Sequence, residues 1–147
     1  MDSSATKDIV KNAWKAFATR DAAQIESVFT EDARWFVPPG NATAVALGHA
    51  DAQVLDRPLI VQFLAHEFAQ LFVRDVKSTP RSLTAEGETA VLETRFEATL
   101  ASGRHYDNEY CFVIEVKEGR IHRMREYMDT QRGFHCIVGL PAEAAPR

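Results

Sequence analysis

Residues 105–130, HYDNEYCFVIEVKEGRIHRMREYMDT, read as two β-strands joined by the tight turn Lys117-Glu118-Gly119-Arg120. Side chains on a strand alternate faces, so Met124, Glu126 and Met128 share one face while Arg125, Tyr127 and Asp129 share the other. An ionisable group flanked by apolar neighbours on one sheet face lies either at a solvent edge or in a pocket. In a pocket, Glu126 is a candidate acid or base.

Upstream of this hairpin, the periodicity places two more strands, Val76 to Ala85 and Thr89 to Ala101, before strands over Arg104 to Lys117 and Arg120 to Thr130. Glu86-Gly87-Glu88 and Ala101-Ser102-Gly103 are the other turns. Before these, apolar residues recur at three and four residue steps from Ile60 through Phe63, Leu64, Phe68 and Leu71 to about Val73. Asp56 is the expected N-cap of that helix, and Pro58 sits harmlessly in its first turn. Asn41 to Leu55 reads as a long loop with possible helical turns, and Ala33 to Val37 as a short strand stopped by Pro38-Pro39-Gly40. Two helices open the chain, one over Thr6 to Arg20 with Val10, Ala13, Trp14 and Phe17 at helical spacing, and one from Asp21 to Phe29. Helices first and an antiparallel meander afterwards make an α+β protein with three helices packed on a strongly curved, mostly antiparallel sheet. Such a cone is filled by side chains or by a ligand. Trp14, Phe17, Trp35, Phe63, Phe68, Tyr110 and Phe112 are among the aromatics placed to face inward.

The 147 residues suit one domain over 1–140, with a flexible tail from Pro141 to Arg147. Net charge of −4 argues against a phosphate-tracking surface, so no nucleic acid partner is expected. No apolar run is long enough to cross a bilayer, and MDSSATKD lacks the apolar core of a secretory signal. Cys111 and Cys136 have no framework or metal spacing, and Cys111 lies in an apolar run that suggests a buried thiol. These features together lead us to expect a cytoplasmic protein with no metal and no cofactor.

Tyr106-Asp107-Asn108-Glu109-Tyr110, Gly119-Arg120-Ile121 and Arg125-Glu126-Tyr127-Met128-Asp129, in this element order, resemble the SnoaL-like, ketosteroid-isomerase-related branch of the nuclear-transport-factor-2-like superfamily. The resemblance spans about Thr6 to Gly133. It implies a cystatin-like cone fold, a homodimer formed through the sheet and a small-molecule ligand, without implying one reaction. Arg95-Phe96-Glu97 and Arg125-Glu126-Tyr127-Met128-Asp129 are also similar to the two catalytic stretches of limonene-1,2-epoxide hydrolase. That similarity implies a trio of Arg95, Glu97 and Glu126, with Glu replacing Asp at both acid positions. The first strand, Arg34-Trp35-Phe36-Val37-Pro38, lacks the water-holding Tyr and Asn of those hydrolases and the terminal base of ketosteroid isomerase.

Physically, period two puts Glu93, Arg95 and Glu97 on one face and Leu92, Thr94 and Phe96 on the other. Two readings follow. Either the charged face is solvated and carries a cross-strand ion pair, or Arg95 bridges Glu97 and Glu126 at a pocket floor. Parity also brings His122 and Met124 to the face of Glu126. Asn108, between Tyr106 and Tyr110, either orients a polar ligand group or completes a polar core network. The sequence therefore supports a small-molecule-binding protein, either an isomerase, cyclase, dehydratase or hydrolase using carboxylates, or a noncatalytic binding or interaction domain.

Overall fold

The computed structural model describes residues 2–49 and 53–139, so the expected tail from Pro141 to Arg147 lies outside the described residues. The fold begins with helix α1 (Ser3–Thr19), capped by the Asp2 carboxylate, and α2 (Ala22–Ser27), capped by Asp21. Strand β1 (Phe29–Phe36), helix α3 (Ala42–Ala46) and strand β2 (Val54–Asp56) follow. A helical segment then runs as α4 (Arg57–Gln62), a π-helical stretch over Phe63–Glu67, and α5 (Phe68–Leu71). The long strands β3 (Phe72–Glu86), β4 (Thr89–Leu100), β5 (His105–Lys117) and β6 (Arg120–Met128) come next, and α6 (Thr130–Ile137) closes the described chain.

The sheet has six strands in the order β2-β1-β6-β5-β4-β3. It is antiparallel except where β1 runs parallel to β6. This is the expected α+β architecture of a curved, mostly antiparallel sheet with helices on it. The 117–120 turn closes with Lys117 opposite Arg120, and Glu118 and Gly119 both take positive φ, as a two-residue hairpin turn requires. At the opposite corner, Thr6 in α1 donates its hydroxyl to the Gly87 carbonyl at 2.6 Å, tying the first helix to the β3–β4 turn.

Five features depart from the sequence reading. The last strand ends at Met128 instead of Thr130, and Asp129 caps the unexpected helix α6. β1 starts at Phe29, not Ala33, because Phe29 is fully buried and paired with Ile121; Thr30 to Asp32 break the helix by continuing as strand. The expected loop over Asn41 to Leu55 contains α3, capped by Asn41, and β2, which pairs with β1. β3 starts at Phe72, four residues early, so the long helix ends at Leu71. Cys111 points outward opposite Tyr127 and Glu93 and is only half-buried, because strand parity outweighs its apolar neighbours in sequence.

Two apolar clusters form the interior. One gathers Val10, Phe17, Ile25, Phe29, Ile60, Phe112, Ile114 and Met124 under the helices. The other gathers Phe68, Phe72, Ala98, Leu100 and Tyr106 near the turn between β4 and β5. Between them the sheet and helices do not fully meet.

Candidate functional site

The gap is a cavity of about 440 Å³. Its sheet wall carries Trp35, Thr94, Phe96, Tyr110, Phe112, Glu126 and Met128, and its helical wall carries Trp14, Phe17, Arg20, Phe63, Leu64, Glu67 and Phe68. Residues of α3 and its flanks, Asn41 to His49, cover one side. The aromatic rings interlock at their edges: Trp35 meets Phe63 with centroids 5.7 Å apart, and Phe68 meets Phe96 at 5.6 Å. A mostly apolar hollow with few polar groups is the usual form of a small-molecule site.

Glu126 is the most consequential of those polar groups. Its position on β6 opposite Phe112 turns the carboxyl inward, and only 8% of the residue is exposed. Burial in apolar surroundings disfavours the charged form and pushes its pKa up to about 8. The neighbouring Trp35 indole opposes this, favouring ionisation to a smaller extent. Its buried Nε1–H finds no full hydrogen-bond partner and acts instead on the adjacent Glu126 carboxyl. The sheet wall thus presents a buried carboxyl and a neighbouring indole N–H to the same hollow.

Of the residues singled out from sequence, Trp14, Phe17, Trp35, Phe63, Phe68, Tyr110 and Glu126 line the cavity. Five others do not. Arg95 and Glu97 lie on the opposite face of the sheet: Arg95 pairs with Glu97 at 3.0 Å and grips Asp107 through Nε and Nη2 at 2.9 and 2.7 Å. That fork holds the Asp107 carboxyl below the usual carboxylate range. The trio Arg95, Glu97 and Glu126 therefore does not converge, because alternation sends residues 93, 95 and 97 outward while Thr94 and Phe96 face in. His122 is displaced by a bulge, since Val116 pairs with Ile121 and Glu115 with Arg123. Its ring nitrogen Nδ1 instead hydrogen-bonds Thr30 Oγ1 at 3.1 Å. Met124 packs in the core beneath the hollow. Asn108 is fully buried but committed to structure: its amide donates to Tyr106 Oη and to the Asp129 carbonyl, and its Oδ1 accepts from the Glu109 N–H.

This placement carries a prediction. Arg95→Ala leaves the affinity of any cavity ligand within about twofold, because its contacts are on the far face and partly solvated. Isothermal titration against the wild type checks it; a loss above tenfold would return Arg95 to the site.

Several cavity residues have no clear signature in the sequence. Glu67 reaches the hollow from the π-helical stretch, and its Oε2 accepts a hydrogen bond from His49 Nε2–H at 2.7 Å. Ser78 and Thr94 share a hydroxyl–hydroxyl hydrogen bond of 3.0 Å across β3 and β4. Asn41 caps α3 by accepting from Ala44 N–H while donating to the Pro38 carbonyl. The meeting of His49 with Glu67, 18 residues apart, has no local signature in the sequence. Among the described residues no cluster of three or more His, Cys, Asp and Glu could hold a metal, and no helix is long and apolar enough to cross a membrane.

Comparison with known proteins agrees with this geometry. The SnoaL-like domain family model matches residues 10–124. Among solved structures, TerC co-crystallised with polyporic acid superposes with a TM-score of 0.75 at 22% identity, covering 91% of this chain and 98% of that one. A putative SnoaL-like polyketide cyclase from Jannaschia sp. gives 0.73 at 14% identity, covering 95% of each chain. An LEH-like epoxide hydrolase from M. tuberculosis gives 0.70 at 14% identity, covering 92% and 91%. These likenesses establish the nuclear-transport-factor-2-like fold. No curated protein matches.

Proposed function

The chain belongs to the SnoaL-like domain family, and from that membership and its cavity we propose that it binds a small, largely apolar molecule and acts on it by proton transfer through Glu126. The observation that carries this is a buried carboxyl facing an aromatic-lined hollow, where burial favours its neutral form. A neutral carboxylic acid can donate its proton to a carbonyl or hydroxyl oxygen of the ligand, assisted by the Trp35 N–H. The carboxylate left behind can then take a proton from the carbon next to that carbonyl, which restores the acid and leaves an enol. The enol is reprotonated at a conjugated carbon, moving the double bond, or attacks a second carbonyl of the same ligand, whose oxygen takes the proton of the acid as the ring C–C bond forms. An isomerase- or cyclase-type reaction needs no second carboxylate. Epoxide hydration by an Arg95–Glu97–Glu126 trio has no support, because two of its members face away. The ligand of TerC and the cyclase relative support a small organic molecule as the substrate class.

A panel of aromatic and alicyclic ketones screened for turnover tests the proposal. Glu126→Gln keeps ligand binding, seen as a ligand-dependent rise in melting temperature, and loses at least about 100-fold in kcat. Undiminished turnover in that variant would remove Glu126 from the chemistry. Binding without turnover of any compound would favour the noncatalytic reading. We further infer a cytoplasmic location and a homodimer that pairs through the outer sheet face, where Tyr127 on β6 is 55% exposed. Light scattering in solution checks the assembly state.

A further inference from the structure

Arg20 ends α1 in the left-handed region, at φ 56°, and its side chain crosses to the long helix. Nη1 donates to the Leu64 carbonyl at 3.2 Å, and the guanidinium carbon sits 3.7 Å over the Phe68 ring. Leu64 and Phe68 line the cavity, and so does Arg20 itself. Tying α1 to the π-helical stretch occupies one donor of a group that has five. Among the described residues no carboxylate reaches Arg20 within ion-pairing distance; Glu67, the nearby cavity carboxylate, is engaged by His49 at 2.7 Å. Burial also pushes the guanidinium pKa down, the sign of a cation taken from water without a counter-charge.

A partly desolvated cation with open donors, in a hollow otherwise lined by rings, is complementary to an anion on the ligand. We propose that Arg20 is the recognition residue for a carboxylate on the ligand, so that the cavity selects flat, largely apolar molecules carrying one acidic group. The proposal rests on the cavity-binding reading above and names the substrate class for that site. Arg20 belongs to the helical wall and Glu126 to the sheet wall, so a ligand anchored by its acid group at one presents its ring system to the other.

Two probes of nearly equal size separate charge from shape: 2-naphthoate and the uncharged 2-acetonaphthone, titrated at about pH 6.5 with quenching of Trp14 and Trp35 as the readout. Both tryptophans line the cavity. Wild type binds the carboxylate at least about tenfold tighter than the ketone. Arg20→Met abolishes that preference while ketone affinity stays within about threefold, and Arg20→Lys retains part of it. Equal affinity of wild type for both probes overturns the proposal, as does a preference that survives in Arg20→Met. Should Arg20→Met not fold, the wild-type preference must collapse as NaCl is raised from about 0.05 to 0.5 M, and a salt-independent preference counts against it. Failure of both probes to bind defeats the cavity reading itself, whereas ketone binding without carboxylate preference defeats only the role of Arg20.

Discussion

Between pH 5 and pH 9 the wild-type protein loses about 4 kcal/mol of unfolding free energy that Glu126→Gln does not lose, because burial holds the Glu126 pKa at about 8 in the fold. The ordinary carboxyl value is 4.5. Below that value the group is protonated in both states and its contribution is flat. Between 4.5 and about 8 the folded chain keeps a proton that the unfolded chain has released, so raising the pH favours unfolding. Above about 8 both states are ionised, and the full cost of a buried charge has been incurred. The substitution preserves size and hydrogen-bonding shape while removing the titration. Its stabilising effect is therefore small at pH 5 and large at pH 9. Urea unfolding of both proteins at the two pH values reads the difference directly. An equal effect at both would mean that the carboxyl reaches solvent and carries no stored cost.

Asn108→Asp has the other large effect, a loss of about 3 kcal/mol at pH 7. The side chain is fully buried, and its amide nitrogen donates to Tyr106 Oη at 3.2 Å and to the Asp129 carbonyl at 3.0 Å. An isosteric carboxylate replaces those donors with an acceptor facing the Asp129 carbonyl, and among the described residues the hydrogen-bond partners of Asn108 include no cation to offset it. The cost shrinks at pH 5, where protonation restores one donor, and grows toward pH 8. Asp129 caps α6 through Arg132 N–H, so the docking of α6 on β5 loosens with the network. Hydrogen exchange of the α6 amides measures that loosening. A variant as stable as wild type at pH 7 would show that water already reaches Asn108.

Much of this architecture was legible from residue pattern, since local rules act over a few residues. Alternation in 105–130 gave the hairpin, the inward Tyr110 and Phe112 and the shared face of Met124, Glu126 and Met128, and Glu118-Gly119 supplied the positive-φ turn. Asp56 with Pro58 placed the start of the long helix. Parity failed where the sheet itself broke it. The bulge that removes His122 from the face of Glu126 is a mismatch between β5 and β6, written in neither strand alone. Likewise β2 is three residues whose strand character comes from pairing with β1, and the π-helical stretch hides inside an unbroken apolar periodicity.

The sequence alone determined a curved α+β fold, a carboxyl sharing one face of the last strand with Met124 and Met128, and a supply of rings, because each depends on neighbours within one element. Which groups share the hollow follows from the packing of separate elements. That packing sent Arg95 and Glu97 to the far face, committed Asn108 to the core, and brought Arg20 over Phe68 and His49 onto Glu67. Those meetings depend on the angles at which separate elements pack, and such angles emerge only when the whole core closes.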